Sequence, residues 1–344
     1  MQTTYTPTQE DTVVATSFGS AFAKVMAMAT FTDGAFDEPV LGPVEPLQLS
    51  PAAHVLHYGS ACFEGMKAHK GADGTVRIFR LDAHVARMQR SCRALYLPVP
   101  DADVLSGMIT DVVRANLEEV PDPPGALYLR PAMIGTEPNI GAAARASNQG
   151  MLYVLASPVG DYFDSSKTLV LGVETDLPRT TPQFGEVKTG ANYAMALGVT
   201  RRYAAEHGTD QVLFAPNGEV QETGAANFMM IDDRTIITRA LDSSFLHGIT
   251  RDSVLTLAKE HGFDVEERTI TVEEMTSRID TAECALSGTA AVLAPVGALV
   301  VDGERLTVRD GQPGPRTTEL RTALTAIQRA EAADTFGWTT PVTA

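Results

Sequence analysis

An amine, a phenol and a carboxylate stand out as residues that could do chemistry together: Lys188, Tyr193 and Glu222. Lys188 heads the segment Lys188-Thr189-Gly190-Ala191-Asn192-Tyr193, and 34 positions later (222 − 188) comes Glu222-Thr223-Gly224-Ala225-Ala226-Asn227-Phe228. A lysine amine can form a Schiff base with a carbonyl. A fixed acid can hold a heterocyclic nitrogen protonated, so that the ring withdraws electrons from a bound carbon. These are the requirements of a pyridoxal phosphate site.

Each residue also has an ordinary reading. Most lysines are exposed, and most glutamates are solvated. Two features count against a surface role for Lys188. A positive charge at a helix N-terminus opposes the macrodipole. Gly190 and Asn192 are poor first-turn residues unless something approaches them closely. A phosphate would need donors, and Gly248-Ile249-Thr250 opens a helix whose free N–H groups suit an anion. Ser287-Gly288-Thr289-Ala290 is a second small-residue turn, and Arg87 has Arg80 and His84 near it in sequence. Taken singly, each is an ordinary junction or a solvated arginine. Tyr58, Phe63, Tyr128 and Tyr162 lie close to chain turns, where core packing is the default for about half of such aromatics. The histidines show no metal-ligand spacing such as HExxH, and no metal is expected.

The elements that must position these groups alternate between helix and strand. Leu81, Val85, Met88, Cys92 and Leu95 recur at helical spacing, which predicts a helix over 81–95. A second is predicted over 102–120, closed by Pro121-Asp122-Pro123-Pro124-Gly125. Strands are expected at 76–80, 125–134, 150–157, 168–174, 211–214, 227–231 and 235–238. Asn217-Gly218 is a hairpin turn signal. Helices are expected from Ala191 to His207, from Thr250 to before Gly262, and over 316–335. Residues 1–12 read as a frayed tail. The expected division is a smaller N-terminal α/β domain (1–157), a linker (158–166) and a larger cofactor-binding domain (167–344).

Composition sets the outer limits. A chain of 344 residues, 44% hydrophobic and 20% charged, is long and apolar enough for two cores. The net charge of −16, without a basic run, argues against nucleic acid. Three dispersed cysteines, Cys62, Cys92 and Cys284, give no disulfide framework and suit a reducing compartment. No segment reads as a signal peptide or membrane span, so a cytoplasmic protein is expected.

Six ordered segments resemble the branched-chain-amino-acid aminotransferases of class IV. Leu56 through Ala68, with His57-Tyr58 and Phe63-Glu64-Gly65-Met66-Lys67-Ala68, is similar to that family's HY…FEGMKA motif. Phe79-Arg80 through Arg87-Met88 and Ser91 matches FRxxxxxxRMxxS, and Tyr128-Leu129-Arg130-Pro131 matches YxRP. Lys188 through Tyr193 matches KxGxNY, Glu222 through Arg251 matches ExGxxN…T…GxxR, and Ser287 through Ala290 matches SGTA. The resemblance implies an α/β (α+β) fold of type IV, with two α/β domains, pyridoxal 5'-phosphate between them, and a homodimer. It implies that Lys188 carries the cofactor and acts as acid and base, that Glu222 meets the pyridine nitrogen, and that Tyr193 meets the ring hydroxyl. Arg87, Ile249, Thr250 and Thr289 would hold the phosphate. Thr289 and Ala290 would bind the substrate α-carboxylate. Phe18, Tyr58, Phe63, Tyr128 and Tyr162 would line the side-chain pocket, and Arg130 would help bind the distal carboxylate of glutamate. The chain departs from the family pattern at Ala23-Lys24-Val25, Ala225 and Met229, positions that bear on substrate ranking.

The expected reaction is reversible, ping-pong transfer of the amino group of L-leucine, L-isoleucine or L-valine to 2-oxoglutarate. D-Amino-acid transaminase and aminodeoxychorismate lyase chemistry are the alternatives on the same fold. A non-catalytic binding protein is the alternative of another class.

Overall fold

The computed structural model describes residues 18–160 and 167–343. The expected tail at 1–12 and most of the expected linker lie outside these residues. Among the described residues the strands form two sheets, one of nine strands and one of eight.

The first sheet is built from β1 (Val25–Thr32), β2 (Ala35–Phe36), β3 (Val40–Pro43), β4 (Ala61–Phe63), β5 (Met66–Lys70), β6 (Val76–Phe79), β7 (Ala126–Gly135) and β8 (Gly150–Val159). Its helices are α1 (His54–Tyr58), α2 (Leu81–Ala94) and α3 (Ala102–Ala115). β7 is buried at every position but Arg130, as a central strand between β8, β5 and β4 must be. α2 packs on α3, and α3 on β1 and β8. Val85, Met88, Cys92, Leu105, Ile109 and Val112 enclose one core with Leu127, Leu129 and Met133. The predicted helix over 102–120 stops at Ala115, where Asn116 turns back to hold β1. Its Nδ2 donates to the Val25 carbonyl at 2.8 Å and its Oδ1 accepts the Val25 N–H at 3.0 Å.

The second sheet is built from β9 (Leu169–Glu174), β10 (Gln211–Phe214), β11 (Asn227–Asp232), β12 (Thr235–Thr238), β13 (Asp264–Glu267), β14 (Glu283–Gly288), β15 (Val292–Val301) and β16 (Glu304–Thr307). Its helices are α4 (Gly190–His207), α5 (Ile249–Glu260), α6 (Val272–Ser277) and α7 (Pro315–Gln328). α4 stops at Gly208, whose φ of 66° is a left-handed cap. The predicted helix over 316–335 ends at Gln328, because Ala330 takes a positive φ of 53°. Asn217, also left-handed, turns the chain so that Phe214 pairs with Gln221 and Glu222.

The chain end departs from the expected division. A last strand, β17 (Thr339–Val342), pairs antiparallel with β6 and so joins the first sheet. Just before it, Trp338 packs edge-on against Phe79 and stacks on Phe336. Phe79 and Trp338 share a core with α5 and α7 of the second half.

Candidate active site

Lys188 lies where the two halves meet. Its backbone N–H donates to Ser91 Oγ of α2 at 3.1 Å, and its carbonyl accepts the Phe63 N–H at 3.1 Å. Thr189, fully buried, donates from Oγ1 to the Ala61 carbonyl at 2.7 Å. The amine lies 2.8 Å from the Tyr193 hydroxyl, one turn into α4, and about 5 Å from the centres of the Phe63 and Tyr193 rings (5.1 and 5.4 Å). Asn192 has a clear role in this corner. Its Nδ2 donates to the carbonyls of Phe184 and Val187, and its Oδ1 accepts from Thr180. It therefore fixes the loop before Lys188. Gly190 does not answer to close approach within the described chain, since a Cβ there would meet nothing within 4 Å.

Glu222 is not a solvated turn residue. It is 2% exposed. The Leu246 N–H donates to Oε1 at 3.0 Å and Asn227 Nδ2 to Oε2 at 2.9 Å. Gly248 makes this arrangement possible, because a Cβ there would fall on the Asn227 amide. Burial pushes the Glu222 carboxyl up to about 7, opposed first by the charge of Arg179 and further by those of Lys188 and Arg87. The amine, the carboxylate and Arg87 thus act on one another across a single site.

Arg87 is buried on α2 and grips Glu64: Nε donates to Oε1 at 2.6 Å and Nη2 to Oε2 at 2.8 Å. Nη1 donates to the His247 carbonyl at 2.9 Å. His84 adds a 2.7 Å contact to Glu64 Oε2, and Arg87 and His84 together hold that carboxyl well below the usual range. Among the described residues three of the five guanidinium N–H donors are used, which leaves two for an anion. His247 immediately precedes Gly248, Ile249 and Thr250, so Arg87 lies against the start of α5. Across the site, Thr289 Oγ1 donates to the Gly65 carbonyl at 3.0 Å and Lys67 Nζ to the Ala290 carbonyl at 2.7 Å. The 287–290 turn is thereby tied to β5.

The YxR spacing puts Tyr128 and Arg130 on one face of β7. Arg130 Nη2 donates to the Tyr128 hydroxyl at 2.8 Å, and its guanidinium carbon lies 4.5 Å from the Phe63 ring centre. Phe18 meets Tyr128 edge-on at 4.7 Å. Gly65 is required here, because a Cβ would collide with the Tyr128 hydroxyl. Tyr58 stands apart: its hydroxyl bonds the Ile140 carbonyl and its ring tilts against His54. Tyr162 lies outside the described residues.

This donor set fits pyridoxal phosphate. It offers a half-buried amine, a buried carboxylate with acceptor capacity to spare on Oε2, and an arginine with free donors beside a helix start. Ser287 Oγ, at the turn, is buried with no hydrogen-bond partner among the described residues. Sequence reasoning missed Arg179, Glu64 and Lys67. Glu64 and Lys67 stand inside the FEGMKA segment and were legible as polar residues in an apolar run. Arg179 carried no such signal.

Comparison with known proteins shows the family. The family model for amino-transferase class IV matches residues 61–299. The chain is 38% identical over 336 residues to a branched-chain-amino-acid aminotransferase of Mycolicibacterium smegmatis, covering 93% of this chain and 90% of that one. It is 35% identical to branched-chain-amino-acid transaminase 1 of Bacillus subtilis, covering 94% of each chain. Among solved structures, the branched-chain amino acid aminotransferase of Thermobaculum terrenum in its PLP-bound holo-form superposes with a TM-score of 0.77 at 25% identity, covering 94% of this chain and 99% of that one.

Proposed function

The chain belongs to the class IV amino-transferases, and on that premise we propose which of its residues carry out amino-group exchange between L-leucine, L-isoleucine or L-valine and 2-oxoglutarate. The fold is that of type IV and the cofactor is pyridoxal 5'-phosphate. When bound, the cofactor supplies an electron-withdrawing ring and stores the amino group between half-reactions, which makes the kinetics ping-pong.

The observation that carries the residue assignment is the 2.8 Å contact between Lys188 Nζ and Tyr193 Oη, in a site whose far charge is the buried Glu222. Lys188 moves the proton at the substrate Cα. Tyr193, whose hydroxyl lies 2.8 Å from the Lys188 amine, meets the ring hydroxyl. Glu222 holds the heterocyclic nitrogen. Arg87, with Ile249 and Thr250 at the start of α5 and Thr289 opposite, holds the phosphate. Thr289 and Ala290 receive the α-carboxylate. Phe18, Phe63 and Tyr128 form an apolar wall suited to branched aliphatic side chains. Arg130 lies at the edge of that wall, where a glutamate side chain needs a cation.

A homodimer is the proposed assembly. Among the described residues, α4 buries only Asn192 and Ala196 and leaves Met195 and Leu197 more than half exposed. Leu56, Tyr58 and Ile140 also expose apolar surface, and a partner subunit would cover it. No described helix is long and apolar enough to cross a membrane, and we propose a cytoplasmic location.

A rapid-mixing half-reaction with the holoenzyme, followed in the visible, tests the substrate assignment. L-Leucine, L-isoleucine and L-valine should convert the spectrum. Conversion by D-alanine alone, or turnover of aminodeoxychorismate alone, would replace the assignment with one of the two alternatives on this fold.

A further inference from the structure

Arg179 leaves the loop after β9 and runs inward to Glu222, and both side chains are 2% exposed. Its Nη1 lies 2.6 Å from Glu222 Oε1, an ion pair rather than an aligned hydrogen bond. Its Nε donates to the Gly224 carbonyl at 3.3 Å, two residues beyond Glu222. Its guanidinium carbon lies 5.5 Å from the Tyr193 ring centre. One cation therefore touches the surroundings of both Glu222 and Tyr193.

The two carboxylate oxygens of Glu222 are not equivalent. Each has acceptor room for about two donors. Oε1 is occupied by the Arg179 guanidinium and the Leu246 N–H. Among the described residues, Oε2 receives only Asn227 Nδ2. Burial drives a carboxyl toward its neutral form unless a paired charge opposes it.

We propose that Arg179 is a positioning residue for the transamination: its charge favours the anionic form of Glu222 against burial, it fills Oε1, and so leaves Oε2 as the oxygen that meets the heterocyclic N–H. This rests on the reading that Glu222 faces that nitrogen. Removal of Arg179 leaves a buried carboxyl that takes up a proton, and a neutral acid no longer keeps the nitrogen protonated. Arg179 itself touches neither substrate nor reacting atoms.

The test uses holoenzymes of Arg179→Met, Arg179→Lys, Glu222→Gln and the double variant Arg179→Met/Glu222→Gln. Three quantities are measured: the rate at which each protein releases pyridoxal phosphate, the pH dependence of its visible spectrum, and the L-leucine half-reaction rate. Arg179→Met should slow the half-reaction by roughly tenfold or more, the equivalent of about one pKa unit. It should also displace the spectral titration and speed cofactor release. Arg179→Lys, which restores the charge, should recover most of each effect. In the Glu222→Gln background, Arg179→Met should change little further, because its target is already neutral. Equal effects of Arg179→Met in both backgrounds, or an unmoved spectral titration, would overturn the proposal. Unchanged behaviour of Glu222→Gln alone would instead remove the reading of Glu222 on which it rests. If Arg179→Met does not fold, Arg179→Gln, which keeps amide donors without the charge, is read by the same criteria.

Discussion

Lys188 Nζ and Tyr193 Oη lie 2.8 Å apart because α4 begins between them and brings the phenol back over the amine after one turn. Ser91 and Phe63 pin the lysine backbone, and the helix fixes the tyrosine.

Lys188→Ala should therefore abolish turnover while pyridoxal phosphate still binds through the phosphate contacts. Borohydride should fix the cofactor to the wild-type chain at Lys188 and not to the variant, as peptide mapping would show. Tyr193→Phe removes one hydrogen bond to a charged group, worth about 1.5–3 kcal/mol, and should slow the half-reaction roughly tenfold to a hundredfold. Full activity in Lys188→Ala would refute the assignment.

Arg130 should separate the two kinds of substrate. Its guanidinium sits over Phe63 and bonds Tyr128, at the rim of an otherwise apolar wall. Arg130→Met keeps the packing and loses the charge. We expect kcat/KM for glutamate to fall roughly tenfold to a hundredfold, the equivalent of a lost charged hydrogen bond, with a much smaller change for leucine. Equal losses for both substrates would count against a role at the distal carboxylate.

Glu64 and Arg87 form a buried pair whose partners cannot be removed singly without leaving a charge stranded. Glu64→Ala should cost about 3–5 kcal/mol in denaturant unfolding and weaken cofactor retention, because Arg87 loses two of its three hydrogen bonds. The carboxyl is depressed in the fold, so its contribution is present above the ordinary carboxylate range and is lost as pH falls. A Glu64→Ala protein with wild-type stability at neutral pH would contradict this.

His69 should behave in a contrasting way. Both of its ring nitrogens are buried without hydrogen-bond partners among the described residues, and burial pushes the imidazole down to about 3, helped by the charges of Lys67 and Arg329. The unfolded chain binds the proton near pH 6.5 and the fold does not. Stability is thus complete above about 6.5 and declines by a few kcal/mol as pH falls toward 3. His69→Leu removes no hydrogen bond, so it should leave stability at pH 7 nearly unchanged and flatten the decline between pH 6.5 and 3. Thermal melts of the two proteins across that range measure it.

Much of the site was legible because its residues are fixed by short segments. YxR puts two side chains on one strand face, and the first turn of α4 carries Tyr193 back over Lys188, two residues before the helix. α2 and α4 followed from apolar spacing and from the Gly208 stop. Arg179 was not legible, since its partner lies 43 positions away (222 − 179) and only the fold of β9, β10 and β11 brings them together. Gly190 misled for a related reason: sequence records that glycine is tolerated, not what it faces. The motif around Tyr58 places it among the pocket aromatics, whereas its described contacts run to Ile140 and His54. The strand at 339–342 is too short for periodicity, and it exists because β6 offers an unpaired edge.

That short strand has a mechanical consequence. β8 ends at Val159 in the first sheet and β9 begins at Leu169 in the second, and the segment that carries Trp338 then returns the chain to β6. A strand added at a sheet's edge ties whatever precedes it in the chain to that sheet. Through Phe79 and Trp338 the chain end thus fastens β6 to the core of α7 and α5, the helix whose start lies against Arg87.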